Sequence, residues 1–128
     1  MKRDMDLVRD ILLKIESAPG KSSWNVLIDG VEGEDKQKLL LAHLPLMRDA
    51  HLVKFLSLNA GIYTVMENIE LTWEGHDLLD SVRSPEVWKK TKKGVEAAGG
   101  FTIDLMKSLA KGFVKKQIEE HTGVKLEL

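Results

Sequence analysis

The chain has 128 residues, 43% apolar and 30% charged, which suits one domain with at most a small appendage and a core that needs no covalent staples. It contains no cysteine, which excludes disulfides, thiolate catalysis and cysteine-ligated zinc and makes a reducing compartment natural. Nineteen cations against twenty acids leave a net charge of −1, with no general pull toward polyanions.

The opening Met1-Lys2-Arg3-Asp4-Met5-Asp6 lacks the apolar run of a signal peptide. No window approaches the roughly 20 apolar residues that span a bilayer. The expectation is a soluble, cytoplasmic protein with no membrane partner. Charge is unevenly placed. Residues 65–88 hold six acids and one arginine, net −5; residues 89–116 hold eight lysines and two acids, net +6. Such a chain has the means to pair with itself or to offer its basic part to an anion, although a solvated lysine face is the simpler account.

Val8, Ile11, Leu12 and Ile15 recur at helical spacing, with Asp4 and Asp6 at the start and Pro19-Gly20 beyond the end. Trp24-Asn25-Val26-Leu27-Ile28 reads as a strand closed by Asp29-Gly30. A long helix is predicted from Glu34 or Asp35 to about Ala50, on the stripe Leu39, Leu40, Ala42, His43, Leu46 and Met47. Pro45 lies inside it, so a kink or break is expected near residues 41–44, splitting it as a helix-turn-helix would. His51 falls at the exit, where a left-handed backbone is common.

Residues 52–58 alternate as a strand, Asn59-Ala60-Gly61 turns, residues 62–66 return, and a third short strand covers 69–73. This last strand runs straight into a helix that Thr72 can cap, with Glu74 and Asp77 in its first turns. Trp73, at the junction, is expected to wedge the hairpin against the core. Ser84-Pro85 opens a helix over 85–97, and Gly99-Gly100 ends it. A final helix covers about 102–120, with Met106, Leu109, Ala110 and Phe113 on one stripe and Lys107, Lys111 and Lys115 beside it.

Several segments together resemble a family of small bacterial and phage proteins known as a domain of unknown function and regarded as winged-helix proteins. The matching runs are Met1-Lys2-Arg3-Asp4-Met5-Asp6-Leu7, Leu71-Thr72-Trp73-Glu74-Gly75-His76-Asp77-Leu78-Leu79-Asp80, Val87-Trp88-Lys89-Lys90 and Ala98-Gly99-Gly100-Phe101. The resemblance implies a fold and brings no catalytic residues with it. Relatives tend to read His-x-Lys-Leu-Leu-x-x-Ala-Gly-Leu in the candidate recognition helix. Here the run is His43-Leu44-Pro45-Leu46-Met47-Arg48-Asp49-Ala50-His51-Leu52, so Pro45 stands in the lysine's place and His51 in the glycine's.

No chemistry stands out. His76 and Asp80 have ligand spacing, but two ligands are too few for zinc. His43 reads as a hydrogen-bonded helix residue rather than a base. There is no nucleophile elbow and no phosphate loop. The residues therefore predict a non-catalytic protein with no cofactor and no small-molecule ligand.

The predicted class is α+β: a winged helix-turn-helix with a small antiparallel sheet over residues 1–84 and a helical extension over 85–128. DNA is one possible partner, contacted by Lys36, Lys38 and Arg48 of the second long helix. A homodimer through Phe101, Met106, Leu109 and Phe113 is expected as well. The alternative is a protein-interaction module without nucleic-acid binding.

Overall fold

Asp4 anchors the first helix from two directions. In the computed structural model, which describes residues 1–100 and 102–125, α1 spans Met5–Ser17. The Asp4 carboxylate accepts from the Leu7 amide at 3.2 Å, the usual N-cap bond. Its own amide donates to Nε2 of His43 at 3.0 Å, tying the helix start to a distant segment. Met5, Val8, Ile11, Leu12 and Ile15 are buried. Each such aliphatic side chain stabilises the fold by about 1.5–3 kcal/mol through removal from water.

The stretch after Pro19 departs from expectation. Trp24–Leu27 is not a strand but a single helical turn, α2. Strand pairing is made two residues earlier, where the Ser22 amide and carbonyl both bond Ile69 at 2.8 Å. Only Leu27 of the turn is buried, and Val26 is exposed. Ser22 rather than this run takes the place beside Ile69, and tertiary context overrides the run's β-forming composition.

α3 runs unbroken over Glu34–Asp49 and contains Pro45. The expected split does not occur. Pro45 is on the exposed side, where water can serve the carbonyl that its missing N–H leaves free. Leu40, His43, Leu44 and Met47 face inward. The helix ends as anticipated, with His51 left-handed at φ 61° and the Leu52 amide bonded back to the Met47 carbonyl at 2.9 Å.

Two antiparallel strands follow, β1 (Val53–Ala60) and β2 (Tyr63–Leu71), joined by a turn at Gly61 with φ 65°. The two short strands expected at 62–66 and 69–73 are one. They are continuous because Asn68, at φ 55°, forms a bulge: Lys54 pairs with Glu70, yet Leu56 pairs with Glu67. The bulge divides the ribbon. Below it Val53, Phe55, Ile69 and Leu71 are buried; above it residues 56–64 are exposed. The sheet thus has two strands and the Ser22–Ile69 bridge, not three strands. The α+β class stands.

Trp73 is corrected too. It opens α4 (Trp73–Val82), lies outside the strand, and is 80% exposed rather than wedged. What closes this junction is backbone. The Thr72 amide donates to the Leu52 carbonyl at 3.0 Å. The Thr72 hydroxyl donates to the His51 carbonyl and accepts from the Gly75 amide at 3.0 Å, capping α4 as the spacing indicated. Gly75 sits so close that a Cβ there would lie 2.0 Å from the Leu52 carbonyl oxygen.

The chain divides into two compact units, Met1–Asp77 and Leu78 onward. In the second, α5 (Pro85–Ala97) opens with the expected Ser84 cap and Pro85 in its first turn. It packs on α6 (Ile103–Thr122), capped by Thr102 and closed by a left-handed Gly123. Val87, Trp88, Thr91 and Val95 of α5 are buried, as are Met106 and Ala110 of α6. None of the helices among the described residues is long and apolar enough to cross a membrane.

Gly75→Ala is expected to lose about 1–3 kcal/mol in urea denaturation, because the methyl group overlaps an immobile backbone oxygen. Gly112→Ala, in α6 with nothing within 4 Å of the added methyl, is expected to gain about 0.5–1 kcal/mol. Equal effects at the two glycines would contradict the close approach.

Candidate functional site

Lys36, Lys38 and Arg48 all lie on α3, but the helix does not present them together. At 100° per residue, Lys36 and Lys38 stand about 160° apart and Lys38 and Arg48 about 80°. Lys36 falls within about 20° of the inward-facing His43 on that wheel. It lines a groove of about 560 Å³ with Asp4, Asp10, Lys14 and several leucines of α1 and α3. Lys38 is paired with Glu34 at 3.0 Å, and the hydrogen bond and charge of that carboxylate raise its amine above the ordinary value. The Arg48 guanidinium lies over the Phe55 ring, 4.3 Å from its centre, and so braces the base of β1.

His43 is wholly buried. Nδ1 bonds the Leu39 carbonyl at 2.8 Å while Nε2 accepts from the Asp4 amide. This network assigns the proton to Nδ1 in a neutral ring. Both nitrogens are engaged, and neither is directed at solvent or substrate. His43 is a structural tie between α3 and the start of α1, in keeping with its reading as a hydrogen-bonded helix residue.

Of the four residues expected at a dimer interface, Phe101 lies outside the described residues. Met106 is buried within the C-terminal unit. Leu109 is half-buried, 3.0 Å from where a Cβ on Gly94 of α5 would sit, and Phe113 is half-buried. Leu109 thus faces α5 at Gly94. Among the described residues there is no group of three or more His, Asp or Glu arranged to hold a metal.

The surface that residue spacing did not single out is the upper half of the hairpin. Leu56, Leu58, Ile62 and Tyr63 are 53%, 47%, 92% and 70% exposed. Register places Leu56, Leu58, Val65 and Tyr63 on one face, since Leu58 opposes Val65 and Ala60 opposes Tyr63. From Phe55 to Met66 twelve residues pass without a charge, in a chain that is 30% charged. The nearest ion pair is Lys54–Glu70, 2.8 Å, below the bulge, where the lysine holds the Glu70 carboxyl below its ordinary value. The charge-free run was the available signal. It is easily mistaken for core, because strand alternation cannot say which half of a long hairpin reaches the protein.

Comparison with known proteins assigns the sequence to a family. A family model described as "Hypothetical protein (DUF2513)" matches residues 2–101. The chain belongs to that family. A protein of Haemophilus influenzae described as "Uncharacterized protein" is 30% identical over 119 residues, covering 92% of this chain and 99% of its own length. No solved structure matches. In this DUF2513 member, the matched span takes in the Asp4–His43 tie, the hairpin, the Gly75 junction and α5.

His43→Ala is expected to cost about 2–4 kcal/mol in denaturant unfolding, from the cavity and the orphaned Asp4 amide. His51→Gly is expected to gain up to about 1 kcal/mol by relieving the left-handed backbone. A neutral His43→Ala would show that the tie contributes nothing.

Proposed function

We infer that this chain is a non-catalytic winged-helix protein that works as a docking module, its hairpin contacting protein rather than DNA. Several features support the winged-helix reading. α1, the Ser22 bridge, α2, α3 and the β1–β2 hairpin follow one another in winged-helix order, and the Ser22–Ile69 bridge stands for the sheet's short first strand. α3 occupies the recognition-helix place and the hairpin the place of the wing.

The observation that carries the docking reading is the character of that wing. Affinity for the phosphate backbone comes chiefly from lysines and arginines that neutralise it. The upper hairpin offers exposed Leu56, Leu58, Ile62 and Tyr63 and no cation. The N-terminal unit also carries thirteen acids against nine lysines and arginines, net −4. Its three α3 cations point in different directions, and two are engaged by Glu34 and Phe55. An apolar exposed patch rimmed by polar residues is the usual mark of a protein contact.

A salt titration on a labelled random-sequence duplex separates the readings. The docking module gives no saturable binding near physiological salt and a flat dependence of log affinity on log salt. A slope near −3, reduced by removal of Lys38 or Arg48, would reinstate DNA as the partner, since each phosphate contact contributes about −0.9.

A further inference from the structure

We propose that the exposed edge of β1 pairs antiparallel with β1 of a second copy, about a two-fold axis at Ser57, to join the two hairpins into one four-stranded sheet. The proposal rests on the docking reading above and names its partner.

Three observations lead there. The first is an unfilled backbone edge. Among the described residues β1 pairs only with β2, so every second residue turns its N–H and C=O outward. Among those residues, none of the backbone bonds outside the helices and the ladder involves residues 53–66. The other ribbon edge differs, because Ser22 occupies it at Ile69.

The second is the lack of protection. Edge strands of monomers are guarded by charged side chains, proline or extreme shortness. β1 has eight residues, five of them, 56–60, exposed in a row. It has no proline, and its single charge, Lys54, sits at the base and is engaged by Glu70. Nothing on the upper strand opposes a second strand.

The third identifies the occupant. A two-fold axis makes the strand its own partner, so residue types on it must suit one another, and charges near the axis would meet like charges. The run 55–66 carries none and is compatible with itself. An axis at Ser57 places Leu56 opposite Leu58 of the other copy, and Leu58 opposite its Leu56. These four leucines lie on the same exposed face, as directly opposed residues do. Lys54 then faces Ala60 rather than the other Lys54. A heterologous peptide would fill the same edge without using this self-matching of Leu56 and Leu58.

The absence of native cysteine makes the test clean. Ser57 and Asn59 are both exposed and on the same face of β1, and each is replaced singly, as Ser57→Cys and Asn59→Cys. Under the proposed axis the Cα atoms of position 57 in the two copies lie about 4.5–5.5 Å apart, inside the disulfide range. Those of position 59 lie at least ~13 Å apart along the strands, outside it. Mild oxidation of the full chain should cross-link Ser57→Cys at least tenfold faster than Asn59→Cys. Analytical ultracentrifugation of the unmodified chain should show a mass rising with concentration from 14.4 kDa toward twice that value. Leu58→Lys, an exposed change that leaves circular dichroism unaltered, should hold it at the monomer.

A monomer mass at every concentration up to about a millimolar, or equal cross-linking of the two variants, overturns the self-pairing. Neither result bears on duplex binding, so failure here is distinct from failure of the docking reading, which the salt titration decides.

Discussion

The carbonyl oxygen of Leu52 is the point on which the N-terminal unit closes. It accepts from the Thr72 amide at 3.0 Å, and Gly75 approaches it so nearly that no side chain fits between. Thr72 joins the exit of α3 to the start of α4 through one hydroxyl, donating to His51 and accepting from Gly75. One residue pair thereby aligns the end of α3, both ends of the hairpin and the entry to α4. The register of β1 on β2 follows, because Val53 faces Leu71 only if Leu52 and Thr72 already meet. The burial of Ile69 and Leu71 follows from the register. At the other end of the unit, Asp4 and His43 hold α1 to α3 in the same economical way, by backbone and ring nitrogen.

Much of this was legible in the residues, and the reasons differ by element. α1, α5 and α6 were readable because helical periodicity and caps agree: Asp4, Ser84 and Thr102 each make the bond their type favours, whereas α3, with Gly33 at its start and no side-chain cap, was readable from its apolar stripe alone. The left-handed His51 was readable from its place after a long helix. The turn at Trp24–Leu27 was not, because its composition favours a strand and only the position of Ser22 against Ile69 decides otherwise. The continuity of β2 depends on Asn68 adopting a positive φ, which many sequences with a Glu-Asn pair do not require. Trp73 was misplaced for a related reason. A tryptophan in a patterned segment is usually buried, but here the close packing at the junction belongs to Gly75, whose lack of a side chain leaves no mark on hydropathy.

Candidate sites were less legible than the fold. Spacing on a helix can be read, yet direction and engagement cannot. Lys36 turns toward α1, Lys38 meets Glu34, and Arg48 covers Phe55. Met106, expected with Leu109 and Phe113 at a dimer interface, is already buried within the single chain. The exposed apolar face of the hairpin lies instead where alternation resembles core. The bulge at Asn68 makes the difference by ending burial at Phe55 and releasing the upper ribbon to solvent. The protein's surface chemistry is thus divided, with an uncharged ribbon on an acidic N-terminal unit and lysines gathered on α5 and α6.

Native-state hydrogen exchange tests the closing junction most directly. If the Leu52 carbonyl organises the unit, the amides of Thr72 and Gly75 exchange only with the slowest group, alongside Ser22, Ile69 and Leu52, at the free energy of global unfolding. Exchange of Thr72 and Gly75 at the fast rates of Ile62 and Tyr63 at the hairpin tip would contradict the account.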